Sequence, residues 1–160
     1  MTRARHFTRA EMTALAAVAI CAAMLVVNSL AFAIDDRLLR GVDIWSKPVK
    51  FAASFGLHLA TLLMFARLLA DETRRGRLIA VALVAASVAA LIEVLYVSLQ
   101  SARGRASHFN TETAFDAFMY YQVMGGAALV LVATTALVGI LVLRHARPEV
   151  GPGLRLGAGW

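Results

Sequence analysis

Residues 78–101 read LIAVALVAASVAALIEVLYVSLQS, an apolar run with a single charged side chain, Glu93. A helix rises about 1.5 Å per residue, so this run is long enough to cross the roughly 30 Å hydrocarbon core of a bilayer. It is also too long for a strand and contains no Gly or Pro that would interrupt a helix. The run therefore predicts a transmembrane helix and decides the fold class.

Three further apolar runs have the same character, and polar segments separate all four. The composition agrees, with 60% hydrophobic and only 16% charged residues, because soluble domains carry about 25% charged residues. We predict an all-α fold, an integral membrane four-helix bundle, as a single transmembrane domain over residues 1–160. The predicted spans are 12–34, 49–70, 78–101 and 117–143. Residues 147–160 are rich in Gly and Pro and are predicted to form a flexible tail.

The distribution of basic residues predicts the orientation of the bundle. The net charge of +6 is more typical of membrane topology signals than of nucleic-acid binding in so apolar a chain, so no nucleic-acid partner is expected. Ten Lys and Arg residues fall on the side of the N-terminus and six on the other, which favours N-in/C-in. The ten are Arg3, Arg5, Arg9, Arg67, Arg74, Arg75, Arg77, Arg144, Arg147 and Arg155. The six are Arg37, Arg40, Lys47, Lys50, Arg103 and Arg105.

The first span has an alternative interpretation as a signal peptide. Ala31-Phe32-Ala33 resembles a signal-peptidase site, and the basic start fits the beginning of such a peptide. The apolar run is longer than the roughly 7–15 residues of a signal core, which favours a retained helix. The lone Cys21 excludes a disulfide within the chain and any cysteine-based metal motif.

Polar residues recur on one face of each predicted helix, in the half near the 35–48 and 103–113 segments. In lipid, such faces turn towards the interior of a bundle. We therefore predict a polar pocket inside the bundle that opens to the extracytoplasmic side. The residues are Asn28 in the first span, Lys47, Lys50, Ser54, His58 and Thr61 along the second, Glu93, Tyr96 and Gln100 in the third, and Thr113, Asp116, Tyr120 and Met124 in the fourth.

Glu93 is the most informative of these residues. A carboxylate within the hydrocarbon region costs several kcal/mol unless it is paired or protonated. We expect it to be neutral or to pair with His58 or Lys50. The alternative is a structural role, in which Glu93 forms hydrogen bonds with Asn28 or Ser54 that hold the helices together.

The segment RGRASHFNTETAFD, residues 103–116, is the densest polar stretch between two spans. We predict that it covers the pocket, with Arg103 and His108 holding an anionic group and Asn110 orienting it. Alternatively, the segment satisfies its own polar groups through Glu93, Gln100 and Asp43. Its last part resembles a helix cap, because Thr113 precedes Asp116 by three residues.

Two sequence elements resemble those of an uncharacterised group of small bacterial multi-pass membrane proteins. The first is W-x-K-P-x-K-F, here Trp45, Lys47, Pro48, Lys50 and Phe51. The second is R-G-x-x-S-H-F-N, here Arg103, Gly104, Ser107, His108, Phe109 and Asn110. The resemblance covers roughly residues 43–125. It implies the bacterial cytoplasmic (inner) membrane and groups both elements into one site, but it implies no activity and no cofactor.

Three functions remain open from the sequence. The first is binding or carriage of a small polar or anionic ligand; transport would require a homodimer to complete a path. Its predicted ligand-binding residues are Lys47, Lys50, Ser54, His58, Glu93, Gln100, Arg103, His108, Asn110, Asp116 and Tyr120. The second is a metal or haem enzyme using His58, Glu93 and His108, although no diagnostic metal spacing is present. The third is a structural or accessory subunit.

Overall fold

The computed structural model describes residues 6–159, and most of them are helical. Arg3 and Arg5, which support the predicted orientation, lie outside the described residues. The elements in chain order are α1 (Arg9–Ile34), β1 (Leu38–Leu39), β2 (Val42–Asp43), α2 (Ser46–Ala66), α3 (Asp71–Arg74), α4 (Arg77–Ala102), α5 (Ala114–Phe118), a π-helical segment (Met119–Met124), α6 (Gly125–His145) and α7 (Pro152–Gly159).

Four of these helices are long and apolar enough to cross a membrane: α1, α2, α4 and the continuous helix 114–145. They coincide with the four predicted spans. α1, α4 and the helix 114–145 are two to five residues longer than predicted, whereas α2 begins three residues and ends four residues earlier than its predicted span. Thr8 and Glu11 form a capping box at the start of α1, and Pro48 lies in the first turn of α2, where the missing N–H is tolerated.

Small side chains hold the bundle together. α1 packs mainly on α2, and α4 lies at the centre in contact with α1, α2 and α6. The buried positions of these helices are rich in alanine. Where α1 and α2 come closest, a Cβ atom added to Gly56 would lie 3.3 Å from Cβ of Cys21. Many large apolar side chains point outward, including Leu57 (71% exposed) and Leu129 (73%), whereas others such as Leu59 and Ile79 belong to the core.

The fourth long helix changes its winding near one end. Residues 119–124 form a π-helical segment between α5 and α6. The sequence predicted an uninterrupted helix here. A π-helical turn comes from one extra residue within an otherwise regular helix and leaves no signal in the pattern of apolar residues.

One end of the bundle carries a short hairpin, which we call the hairpin end. It comprises residues 35–45 and 103–113. β1 and β2 pair antiparallel through a turn with Arg40 and Gly41 at positive φ. The carboxylate of Asp35 accepts hydrogen bonds from the Arg37 guanidinium (2.7 Å) and from Nε1 of Trp45 (2.8 Å). These contacts hold the pKa of Asp35 well below its usual range.

The opposite end, which we call the terminal end, contains residues 67–76 and both described chain ends. A buried ion pair joins Arg74 to Glu11 (2.7 Å), and a β-bridge joins Leu69 to Ala146.

The predicted flexible tail is wrong for residues 152–159, which form helix α7. Pro152 begins this helix, where proline fits well. The guanidinium of Arg155 donates to the carbonyls of Arg147 and Val150, and the buried Ala158 joins the main core. The Gly and Pro content of the tail obscured these tertiary contacts.

Candidate functional site

Glu93 and His108 meet at one cavity near the hairpin end. The cavity has a volume of about 220 Å³. We call it the Glu93 cavity. Its lining comes from α4, the 103–113 segment and the fourth long helix, and comprises Glu93, His108, Tyr120, Tyr121, Met124, Gly125 and Ala128. Two of the residues singled out in the sequence, 15 positions apart, are therefore brought together because the 103–113 segment folds back over α4.

The carboxylate of Glu93 is buried and incompletely paired. Glu93 is only 3% exposed. Among residues 6–159, none donates a hydrogen bond to its Oε2. The nearby charge of Lys47 attracts the carboxylate electrostatically. An unsatisfied buried carboxylate oxygen costs free energy, so such a group is expected to serve a ligand or a proton.

His108 is the residue that connects Lys47 to this cavity. Its Nδ1 lies 2.9 Å from Nζ of Lys47 and 3.2 Å from Oγ of Ser107. Burial and the positive charge of Lys47 lower the pKa of His108 to about 4. His108 is therefore neutral at pH 7. Because the Lys47 ammonium can only donate, Nδ1 is the acceptor and Nε2 carries the proton.

His108 also lines a second, smaller cavity. Its volume is about 150 Å³. Its lining includes the hairpin residues Val42 and Asp43, together with Lys47, Ser107 and His108. His108 is thus the residue that the two cavities share.

The π-helical segment shapes the aromatic wall of the Glu93 cavity. Tyr120 and Tyr121 are both in this segment, with their ring centroids 4.8 Å apart. The ring of Tyr120 lies 5.8 Å from that of His108. In a regular helix, neighbours are separated by about 100° around the axis, so the local unwinding allows two successive tyrosines to line one cavity.

A polar network fastens the 103–113 segment to the bundle. Asp116 is buried and receives hydrogen bonds from Gln100 (3.1 Å) and Thr113 (2.8 Å), and Arg105 pairs with it at 3.4 Å. The predicted cap is present in part, since Thr113 Oγ1 accepts from the backbone N–H of Asp116. Gln100 and Asp116 therefore hold the segment in place and do not line the Glu93 cavity.

The predicted anion clamp of Arg103 and His108 is not formed. Arg103 donates to Oε1 of Gln100 at 3.1 Å and is not in the lining of the Glu93 cavity. The Asn110 side chain donates to the carbonyl of Ala106 and accepts from the N–H of Glu112, so it stabilises the turn. Its position follows from the turn, in which Phe109 has a positive φ of 56°.

The other polar residues predicted to line one pocket lie in different parts of the structure. Lys50 is exposed. Ser54 and His58 line a different cavity between α2 and α6, and Asn28 donates to Ser98 at 3.0 Å. The expected pairing of Glu93 with His58 or Lys50 is therefore wrong. The cation that acts electrostatically on Glu93 is instead Lys47, which lies in the first turn of α2 and contacts His108 of the 103–113 segment.

The metal alternative loses its proposed ligands. Within residues 6–159, no group of three or more His, Cys, Asp and Glu side chains is arranged to hold a metal ion. His58 forms a hydrogen bond with Thr135 (3.3 Å), away from the cavity shared by Glu93 and His108. The same separation applies to the proposed haem ligands His58 and His108.

The sequence missed several contributors to the site. Ser107 contacts the His108 ring, Phe51 packs edge-on against it at 5.7 Å, and Tyr121 lines the Glu93 cavity. Ser107 and Phe51 both belong to the two elements quoted above, which was the available signal for them. Tyr121 depends on the π-helical segment, for which the sequence carries no signal. No family model, no curated protein and no solved structure matches the chain.

Proposed function

We propose that the chain is a multi-pass membrane protein whose Glu93 cavity binds a small polar ligand. The observation that carries this proposal is the buried Oε2 atom of Glu93, which has no hydrogen-bond partner among residues 6–159 and belongs to a cavity-lining residue. Four long apolar helices with large exposed apolar side chains support the membrane placement.

The chemistry of the cavity favours a ligand that brings a hydrogen-bond donor. An ammonium, amide or hydroxyl group can satisfy Oε2 of Glu93, whereas a simple anion would face a carboxylate. Arg103, which was expected to hold an anion, is engaged with Gln100, and its neighbour Arg105 is engaged with Asp116. The volume of about 220 Å³ is below the roughly 300–1,000 Å³ of sites for drug-sized molecules, so the ligand is small.

The charge distribution supports N-in/C-in insertion in a bacterial cytoplasmic membrane. Most of the basic residues lie at the terminal end, and the hairpin end then faces the extracytoplasmic side. The ligand enters from that side and passes His108 to reach Glu93. Transport to the other side of the membrane would additionally require a second copy of the chain.

The test is a thermal-denaturation experiment on the protein purified in mild detergent. Four probes are added separately: ethanolamine as a cation, glycine as a zwitterion, glycerol as a neutral hydroxyl compound and acetate as an anion. A ligand that binds only the folded protein raises Tm. We expect the ammonium-bearing probes, ethanolamine and glycine, to raise Tm and acetate to leave it unchanged.

Two variants locate the effect. In Glu93→Gln the increase in Tm from ethanolamine should fall by more than half, because the carboxylate charge is lost while the shape is kept. Glu112→Gln is the matched control, since Glu112 is an exposed carboxylate in the 103–113 segment. This variant should respond as the wild type does. An unchanged response in Glu93→Gln, or no response to any probe, contradicts the proposal and favours a structural role.

A further inference from the structure

A further cavity lies between α2 and α6, and it shares no lining residue with the Glu93 cavity. Its volume is about 510 Å³. We call it the α2–α6 groove. Its lining is mostly apolar, with only three polar side chains, and comprises Ser54, Phe55, His58, Leu131, Val132, Thr135, Ala136, Gly139 and Ala158. A mainly apolar cavity of this volume with a few polar groups has the character of a small-molecule site.

The hydrogen bonds in the groove fix the tautomer of His58. The hydroxyl of Thr135 has one proton, which it donates to the carbonyl of Leu131 at 2.7 Å. Its oxygen, 3.3 Å from Nε2 of His58, therefore accepts the Nε2 proton. In the neutral ring, Nδ1 then carries a lone pair. Among the described residues it has no hydrogen-bond partner, so His58 presents an acceptor to whatever occupies the groove.

The depth of His58 restricts the source of a complementary donor. His58 lies near the middle of α2 and Thr135 near the middle of α6. In a membrane-spanning helix these positions are roughly 15 Å from the polar headgroups. A headgroup cannot reach them. The donor must belong to a molecule that is itself dissolved in the hydrocarbon region.

Small residues give this molecule room. Ala136 and Gly139 leave space along α6, whereas Phe55, Leu131 and Val132 supply apolar walls. Ser54 lies one helical turn before His58 and adds a hydroxyl to the same lining. The groove is thus shaped for an apolar body with one hydroxyl group that meets His58 and Ser54.

We propose that the α2–α6 groove binds a membrane-soluble hydroxyl compound, of the phenol, quinol or isoprenoid-alcohol class, through a hydrogen bond to Nδ1 of His58. This inference rests on the membrane placement in the proposed function but not on the Glu93 cavity. The occupant is chemically unlike the small polar ligand of that cavity, so the chain has two separate sites.

The test compares 4-octylphenol with 1-octylbenzene, which has the same shape and no hydroxyl group. The full chain is reconstituted in lipid nanodiscs with ¹⁵N-labelled histidine, and both compounds are titrated by NMR. 4-Octylphenol should bind roughly tenfold more tightly, as expected for one net hydrogen bond. It should also shift the Nδ1 resonance of His58, whereas 1-octylbenzene should leave that resonance in place.

Variants of the groove separate this site from general partitioning into lipid. His58→Phe should lose the preference for the phenol, and Ala136→Leu should weaken binding of both compounds by filling the groove. His145→Phe is the control, because His145 lies at the terminal end, and its preference should equal that of the wild type. Equal affinity for the two compounds in the wild type, or a preference that survives in His58→Phe, overturns the proposal.

The two proposals fail independently in these measurements. Glu93→Gln should retain the full preference for 4-octylphenol, since Glu93 does not line the groove. Loss of the preference in Glu93→Gln overturns the claim of two separate sites. A response to ethanolamine that is lost in Glu93→Gln but unchanged in His58→Phe supports the Glu93 cavity whatever happens in the groove.

Discussion

At the scale of single residues, His108 has the most consequential position. It lines both cavities of the hairpin end, accepts a hydrogen bond from Lys47 and packs against Phe51 and Tyr120. Each of these contacts requires a neutral imidazole or is weakened by a second positive charge beside Lys47. The protonation state of His108 therefore contributes to how firmly the 103–113 segment is held, in addition to the hydrogen bonds of Gln100 and Thr113 to Asp116.

Lowering the pH should destabilise the protein through His108. Its pKa is lowered from the ordinary value of 6.5 to about 4, so between these values the unfolded chain binds a proton that the native chain excludes. The stabilising contribution is complete above pH 6.5 and is lost as the pH falls towards 4. Tm in detergent should fall across this window, and the fall should be smaller in His108→Gln, which keeps an acceptor but does not titrate.

The carboxylates of the chain also titrate at these pH values, so the informative quantity is the difference between His108→Gln and the wild type. His145→Gln is the control and should follow the wild-type curve. Coincident curves for His108→Gln and the wild type would mean that His108 is no more buried than in the unfolded chain.

The sequence identifies an unusual residue where its immediate neighbours along the chain are enough to show that it is unusual. A carboxylate within an apolar run must have a special environment, and Glu93 was identified on that basis. The partner was not predictable. Helical periodicity placed Lys47, Lys50 and His58 on one face of α2, but Lys47 contacts the 103–113 segment, Lys50 is exposed and His58 contacts α6.

At the scale of elements, the terminal end is joined by a buried ion pair. Glu11 in the first turn of α1 and Arg74 in α3 are both almost fully buried, and their side chains meet at 2.7 Å. Glu11 also caps its own helix by accepting from the N–H of Thr8, and Arg67 lies 3.9 Å away. One carboxylate thereby fixes the start of α1 and the position of the 67–76 segment.

Removing one partner of this pair should be more damaging than removing both charges. Arg74→Met removes the cation closest to the buried Glu11 carboxylate among residues 6–159 and should cost about 3–5 kcal/mol. The double variant Glu11→Gln, Arg74→Met removes both charges and should recover most of that loss. Unfolding by SDS titration in mixed micelles measures the difference.

The exposed neighbour Arg75 provides the control, and Arg75→Met should change the stability by less than about 1 kcal/mol. A double variant that is less stable than Arg74→Met alone would contradict the explanation from an uncompensated charge.

The elements themselves were predictable to differing degrees. The four long helices follow from apolar runs bounded by polar segments, and the start of the fourth follows from the cap predicted at Thr113. The π-helical segment and α7 could not be read from the sequence. The first needs only one additional residue within a helix. The second depends on hydrogen bonds from Arg155 to the nearby residues Arg147 and Val150 and on packing of Ala158 in the main core.

At the scale of the whole molecule, the orientation in the membrane can be tested directly. With Cys21→Ala as the background, single cysteines are placed at Thr111 of the hairpin end and Glu72 of the terminal end, both of which are exposed. A membrane-impermeant maleimide should label Thr111→Cys in intact spheroplasts. It should label Glu72→Cys only after the membrane is broken.

The reverse pattern would contradict the N-in/C-in orientation and place the Glu93 cavity on the cytoplasmic side. Labelling of both positions in intact spheroplasts would contradict membrane insertion itself, and the inference about the α2–α6 groove would then fall with it.

The distribution of side-chain size in this bundle inverts the usual meaning of a mutational scan. Many buried positions are already alanine, among them Ala14, Ala17, Ala52, Ala86 and Ala90, whereas many leucines and valines are on the outside. An alanine scan would therefore be silent at these alanine positions, although they belong to the core that holds the fold. Scanning with leucine would reveal those contacts by overpacking them, so tolerance to large residues, rather than sensitivity to small ones, maps the surface of this protein.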